Sequence, residues 1–211
     1  MPVPSPVWIH RIVHEQNLLN ILREGMLSRR AVTTTTNYVF IGDSELTEFR
    51  DKWPVGLPDC GNLGDYVPFY FGPLSPMLLS IKTGFRVPQR PQEEIIYLCC
   101  KVESIVEANL PFVFTDGHAT DKLTGFYQSL DDLEQVDWSI VKERYWKNID
   151  DNPDRQRRKQ AEFLVHNKVN SELIGAIVVF NQEKANFVNQ LLRQVGLKIP
   201  VYINPKNNFY Y

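Results

Sequence analysis

Short runs of β-branched and aromatic residues recur along the chain and predict strands: "VWIHRIV" (7–13), "DYVPFYF" (65–71), "EIIYLCCKV" (94–102), "FVFTDGH" (112–118), "AEFLVH" (161–166) and "GAIVVF" (175–180). A last run, "VYIN" (201–204), closes the sheet. Helical spacing falls between them. "EQNLLNILREG" carries Leu18, Ile21 and Leu22 on one stripe and Gly25 at the C-terminal stop. "DSELTEFRDKW" (43–53) starts with Asp43 or Ser44 as N-cap. "SPMLLSIKTG" has Ser75 as N-cap, Pro76 in the first turn and Gly84 at its end. "SIVEANL" reads as a short helix, "DWSIVKERYW" (137–146) as a helix-like break in a polar stretch, and "NQEKANFVNQLLRQVG" as an amphipathic helix with Val188, Leu191, Leu192 and Val195 on one stripe. Residues 28–43 are a polar, Thr-rich loop, and Pro68 argues that its strand is an edge or an end. Strands and helices mix without a strict βαβ rhythm. The expectation is an α+β fold with a largely antiparallel or split sheet, in one domain over 1–211.

Composition narrows this little. With 211 residues, 43% hydrophobic and 23% charged, the chain is ordinary for a soluble globular protein. A net charge of −2 means that any nucleic-acid surface must be a local patch. Cys60, Cys99 and Cys100 form no CxxC pair, which reads as a reducing cytosol without zinc or a structural disulfide. No signal peptide or membrane-spanning run is expected.

Motifs exclude several chemistries. GxGxxG after a strand, GxxxxGK[ST], HExxH and GxSxG are all missing. His10 and His14 lie four apart in a predicted strand, about 13–14 Å from each other, too far to share a metal. Attention falls instead on Glu162, between the basic run "RQRRK" and an apolar strand. Alternation puts Glu162, Leu164 and His166 on one face and Ala161, Phe163 and Val165 on the other. Burying that carboxylate without a partner is costly. Taken alone, an exposed strand-end acid paired with Arg158 or Lys159 is the simpler reading. For Arg50, an exposed helix arginine paired with Glu45 or Glu48 is equally simple. "HRIVHEQN", "FTDGHA" and "FRDKW" nevertheless each place polar or cationic groups where one cleft can collect them.

"HRIVHEQNLLNILREG", "DYVPFYFGPLSPML", "LPFVFTDGHA" and "RRKQAEFLVH" together resemble the DarT family of bacterial DNA ADP-ribosyltransferase toxins, from about residue 7 to 211. The resemblance implies a split β-sheet that holds NAD in its cleft. It implies transfer of ADP-ribose to a base, often thymidine, in single-stranded DNA. A macrodomain antitoxin is the implied partner, and the place of action is the cytoplasm, without a metal or a membrane. Glu162 matches the catalytic glutamate and Arg50 the second essential residue. Some members open with "YHITH" where this chain has "HRIVH", so either His10 or Arg11 takes the place of the first histidine. The implied nucleotide site takes in His10, Arg11, Ile12, Val13, His14, Asn17, Gly25, Leu27, Tyr70 and Met77.

These residue types suit the reaction. Loss of nicotinamide develops positive charge at the anomeric carbon, as in glycoside hydrolysis. An ionised Glu162 beside the ribose lowers that barrier electrostatically. Arg50 is placed to favour anionic character on the acceptor base, because a guanidinium is a poor proton acceptor. Arg11, Arg29 and Arg30 are candidates for the diphosphate. Arg155, Arg157, Arg158 and Lys159 read as phosphate contacts for the strand, with Tyr145, Trp146 and His118 for stacking or hydrogen bonds. An RNA or protein acceptor, or an inactive nucleic-acid-binding module on the same fold, are the alternatives.

Overall fold

A computed structural model of the chain describes residues 1–32 and 38–211. The Thr-rich part of the loop expected before Arg50, residues 33–37, lies outside the described residues. The strands are β1 (Trp8–His14), β2 (Met26–Leu27), β3 (Tyr66–Tyr70), β4 (Ile95–Lys101), β5 (Phe112–Thr115), β6 (Phe126–Tyr127), β7 (Glu162–His166), β8 (Lys168–Val169), β9 (Ile174–Val179) and β10 (Val201–Ile203). The helices are α1 (Leu18–Glu24), α2 (Ser44–Lys52), α3 (Pro76–Thr83), α4 (Val102–Glu107), α5 (Arg155–Lys159) and α6 (Gln182–Val195).

Eight strands form one α+β sheet in the order β10-β9-β4-β1-β3-β7-β5-β6, with only β10 and β9 parallel. The other two, β2 and β8, pair separately. The caps read from the sequence at Asp43, Ser75 and Gly84 are in place, and Gly196 adds one the sequence reading did not name. Asp43 and Ser75 accept from Leu46 N and Leu78 N, and Gly84 and Gly196 end their helices at positive φ, where lack of a Cβ removes the strain.

One face of the sheet carries a continuous core. Ile9 and Val13 of β1, Val67 and Phe69 of β3, Ile96 and Leu98 of β4 and Phe163 and Val165 of β7 pack there under α1, α4 and α6. The opposite face carries two separate clusters. One holds Ile12, Tyr97, Cys99 and Val178 under Leu78 and Ile81 of α3; the other holds Tyr66, Val113 and Leu164 under Val55 and Leu63. The gap between these clusters lies where the sheet divides. β1 pairs with β4 along its length but meets β3 only at His10 opposite Tyr70.

Pro68 explains the division. Phe71 donates to Ala161 O at 3.3 Å, so by alternation the backbone groups of Pro68 and Tyr70 face β1. Proline has no N–H to donate, and its carbonyl accepts instead from Arg11 Nη1 at 2.9 Å. The expectation of an edge or end strand is corrected: β3 is interior, between β1 and β7, although its pairing to β1 is confined to His10 and Tyr70.

The expected helix over 137–146 is a correction. Only a single 3-10 turn, Ile140–Lys142, forms there. The carbonyls of Val141 and Glu143, which a continuing helix would use, accept instead from Lys159 Nζ at 2.7 and 2.8 Å.

Candidate active site

Strand register builds the site. His10 of β1 stands opposite Tyr70 of β3, and Tyr70 opposite Glu162 of β7, so the three share one face in a row across the division. Glu162 is 2% exposed. Its Oε1 accepts from Arg50 Nη1 at 2.9 Å and from Ala119 N at 3.1 Å, and its Oε2 accepts from Arg50 Nη2 at 2.6 Å. The exposed pairing with Arg158 or Lys159 is thus corrected, as is the pairing of Arg50 with Glu45 or Glu48. A carboxylate offers about four acceptor directions, two on each oxygen. Among the described residues Oε1 accepts two of these bonds and Oε2 one. The open direction on Oε2 suits a sugar hydroxyl as donor.

Charge is fixed by the same contacts. Burial alone would raise the Glu162 carboxyl, but the Arg50 guanidinium outweighs it and holds the acid below its ordinary value. Burial likewise opposes the Arg50 charge, and Glu162 outweighs it, so Arg50 is held above its ordinary value. Burial pushes the Tyr70 phenol up, and Glu162 adds to that, so Tyr70 stays protonated as a donor. His10 is lowered to about 4, first by burial, with the Lys159 charge assisting and the Tyr70 carbonyl opposing. It is neutral at pH 7, and its Nδ1, 3.3 Å from Tyr70 O, carries the proton to donate there. His118 is also lowered by burial, against the pull of Glu162.

The support around the acid is built from three elements. Glu162 N donates to Thr115 Oγ1 at 3.0 Å, and Thr115 Oγ1 donates to Gly117 O at 2.6 Å. The turn after β5 then presents Ala119 N. Arg157 pins that turn: its carbonyl accepts from His118 N at 3.0 Å and its Nη1 donates to Asp116 Oδ2 at 3.1 Å. Arg50 rides on α2, which buries no residue of its own. Arg30 ties α2 down through Asp51 O at 2.6 Å and Asp65 Oδ1 at 3.0 Å.

The other candidates divide. Tyr70 and Met77 are half-buried, the latter packed at the edge of the α3 cluster. Ile12 faces that same cluster, and Val13 belongs to the opposite core. Arg11 is engaged with Pro68 O. Between the two claimants for the first histidine, His10 is the one in the row with Glu162. His14 is 2% exposed, with Nε2 3.2 Å from Glu94 Oε2. Asn17 exchanges two bonds with the Val39 backbone, at 2.8 and 2.9 Å. Gly25 has φ +88, and a Cβ there would press on Val169 O within 2.6 Å. Leu27 pairs opposite Lys168. Arg29 is exposed.

The basic run is mostly committed inward. Arg157 binds Asp154 and Asp116, Arg158 binds Asp137 and Asn152, and Arg155 Nη2 donates to Tyr145 O at 2.7 Å. Lys159 is 1% exposed and spends its ammonium on three carbonyls. Trp146 is 7% exposed, with Nε1 bound to Tyr211 Oη at 2.7 Å, so it offers no free face for a base. Tyr145 is 80% exposed, and Lys142 and Lys147 beside it are exposed too. Thr115 is a support that the sequence reading missed, whereas Arg30, read as a diphosphate contact, and Lys159, read as a strand phosphate contact, are engaged as supports instead. Only the "FTDGHA" turn gave a sign of the first, as a polar strand end.

Among the described residues no group of three His, Cys, Asp or Glu side chains is arranged to hold a metal, and no helix is long and apolar enough to cross a membrane.

A buried ionised glutamate beside a divided sheet, gripped by an arginine delivered by a separate helix, is an arrangement suited to steadying a sugar cation. The family model "ssDNA thymidine ADP-ribosyltransferase, DarT" matches residues 10–211. A DNA ADP-ribosyl transferase of Escherichia coli O127:H6 is 36% identical over 200 residues, 94% of this chain and 92% of that one. The structure of Thermus sp. 2.9 DarT in complex with ADP-ribosylated ssDNA superposes with a TM-score of 0.92 at 35% identity, covering 100% and 99% of the two chains. The same Thermus protein in complex with NAD+ gives 0.86 at 35% identity, covering 100% of each. This chain belongs to the DarT family of NAD-dependent DNA ADP-ribosyltransferases.

Proposed function

We propose that this protein transfers ADP-ribose from NAD to a thymidine base in single-stranded DNA and releases nicotinamide. It acts as one domain over 1–211, in the cytoplasm, as the toxin of a toxin–antitoxin pair whose partner is a macrodomain protein. The observation that carries the reading is Glu162, ionised and buried, gripped by Arg50 yet with one acceptor direction left on Oε2. A ribose hydroxyl donating there would be oriented by the carboxylate. The same negative charge would steady the cation that develops on the sugar. His10 and Tyr70, both uncharged at neutral pH, line the row without competing for that charge.

Arg50 remains protonated, so its part is to hold Glu162 and to stabilise negative charge on the acceptor ring, leaving proton removal to another group. For the nucleic acid, Tyr145 supplies an exposed aromatic face, and Lys142 and Lys147 supply cations on the same segment. The inward-bound Arg157 and Arg158 serve the site by shaping it.

The test incubates labelled NAD with the protein and, separately, single-stranded DNA, RNA and mixed protein. Label on thymidine-containing DNA alone, lost in Glu162→Gln, is the expected result. Label on RNA or protein instead would overturn the acceptor assignment. DNA binding without nicotinamide release would overturn the enzyme reading.

A further inference from the structure

Two polar side chains, Lys159 buried and Tyr211 half-buried, staple the same seam, beside the catalytic row and outside it. The first is Lys159, whose Nζ donates to Pro73 O at 2.9 Å, Val141 O at 2.7 Å and Glu143 O at 2.8 Å. Three carbonyl acceptors match the three N–H groups of an ammonium, the form they favour against burial, which pulls the amine down to about 7. The second is Tyr211. Its hydroxyl donates to Leu74 O and accepts from Trp146 Nε1 at 2.7 Å. Both side chains therefore join residues 73–74 to residues 141–146. Gly72 lets the two backbones meet, since a Cβ there would collide with Val141 O, the carbonyl that Lys159 also binds.

On the proposed DNA-transferase reading, the joined segments serve different substrates. Residues 72–74 follow directly from Tyr70 and lead to α3, on the nucleotide side. Residues 141–146 display Tyr145, the exposed aromatic on the acceptor side. Lys159 itself precedes Glu162 by three residues. Further contacts continue the seam to both sides. Arg144 Nη1 donates to Tyr210 O at 3.2 Å, Gln92 exchanges two bonds with the Tyr211 backbone at 2.8 and 2.9 Å, and Phe209 packs edge-on against His10 with ring centroids 5.7 Å apart.

We propose that Lys159 and Tyr211 are positioning residues that fix the acceptor-side segment 141–146 against the Tyr70–Glu162 rung, so that the acceptor base arrives in register with the sugar. This rests on the DNA-transferase reading above. A misplacement of about 1 Å is enough to cost on the order of 100-fold in rate. Simple stabilisation of the fold would affect both substrates alike. Register of the acceptor segment affects one.

The test measures transfer from NAD to a thymidine-containing single-stranded oligonucleotide, varying each substrate in turn, for wild type, Tyr211→Phe, Gly72→Ala and Lys159→Met. Tyr211→Phe keeps the ring and removes only the hydroxyl, so it remains informative where Lys159→Met does not fold. The expected result is a fall of tenfold or more in kcat/KM for the oligonucleotide in Tyr211→Phe, with KM for NAD within twofold of wild type. Lys159→Arg, which retains donors, should recover more activity than Lys159→Met. Wild-type kinetics in Tyr211→Phe, or an equal loss toward both substrates, would overturn the proposal. Wild type that labels no DNA would instead overturn the reading on which it rests.

Discussion

Arg50 and Glu162, 112 residues apart in sequence, meet through two parallel hydrogen bonds of 2.9 and 2.6 Å at the bottom of the divided sheet. Such a fork fixes the plane of the carboxylate as well as its charge. Glu162→Gln keeps the shape and removes the charge. Transfer should fall by about 10²–10³-fold or more, on the scale of losing one preorganised electrostatic group. Steady-state transfer kinetics with labelled NAD check this.

Removing the other partner has a different signature. Arg50→Ala leaves a buried carboxylate alone, which costs about 3–5 kcal/mol when a buried pair is broken. Denaturant unfolding at pH 7 should show a large loss, partly relieved in the double variant Arg50→Ala/Glu162→Gln, where no charge is stranded. Equal stability of the two variants would contradict the pairing.

The pair also sets a pH limb. Glu162 is held below its ordinary carboxylate value, so it is ionised above that lowered value, and activity is lost as pH falls through it. In Arg50→Lys, which cannot form the fork, the acid limb of kcat/KM should move to higher pH.

His10 acts in the same sense as Glu162, here on stability. Its folded value is about 4 against an unfolded 6.5, so between these the unfolded chain binds more protons. Stability therefore rises with pH across that window, and falls by about 3 kcal/mol as pH drops from 7 to below 4. Urea titrations of wild type and His10→Gln over this range should differ by that slope.

Thr115 offers a smaller, local test. Thr115→Val preserves the shape but orphans the buried Glu162 N–H, costing about 1–3 kcal/mol. Thr115→Ser, which retains the hydroxyl, should lie near wild type in the same unfolding assay.

The sequence carried the acid's strand well, because alternation about Glu162 marks an apolar face with Phe163 and Val165 and a second face with Leu164. The caps at Ser75 and Gly84 were equally plain, being local chemistry. What periodicity could not carry was partnership at a distance. Nothing near Arg158 or Lys159 in sequence says that one turns to Asp137 and the other to three carbonyls across the fold. The same blindness made residues 137–146 look helical. Their apolar spacing is real, since Trp138, Ile140, Val141 and Trp146 are all buried. Yet their backbone acceptors are claimed by Lys159. The family resemblance named Arg50 and Glu162; that Thr115, Arg30 and Arg157 hold them in place depends on contacts between distant segments that no local pattern encodes.

At Pro68 the backbone is mute toward β1 in both senses, having no proton to give and a carbonyl already taken by Arg11. Two adjacent strands would otherwise zip together, since unpaired edges attract. Here the polymer's own chemistry acts as a doorstop that holds the two halves apart beyond the His10–Tyr70 pair. An ordinary amino acid at that place would restore the missing donor and invite the halves to seal, erasing the room in which the glutamate works.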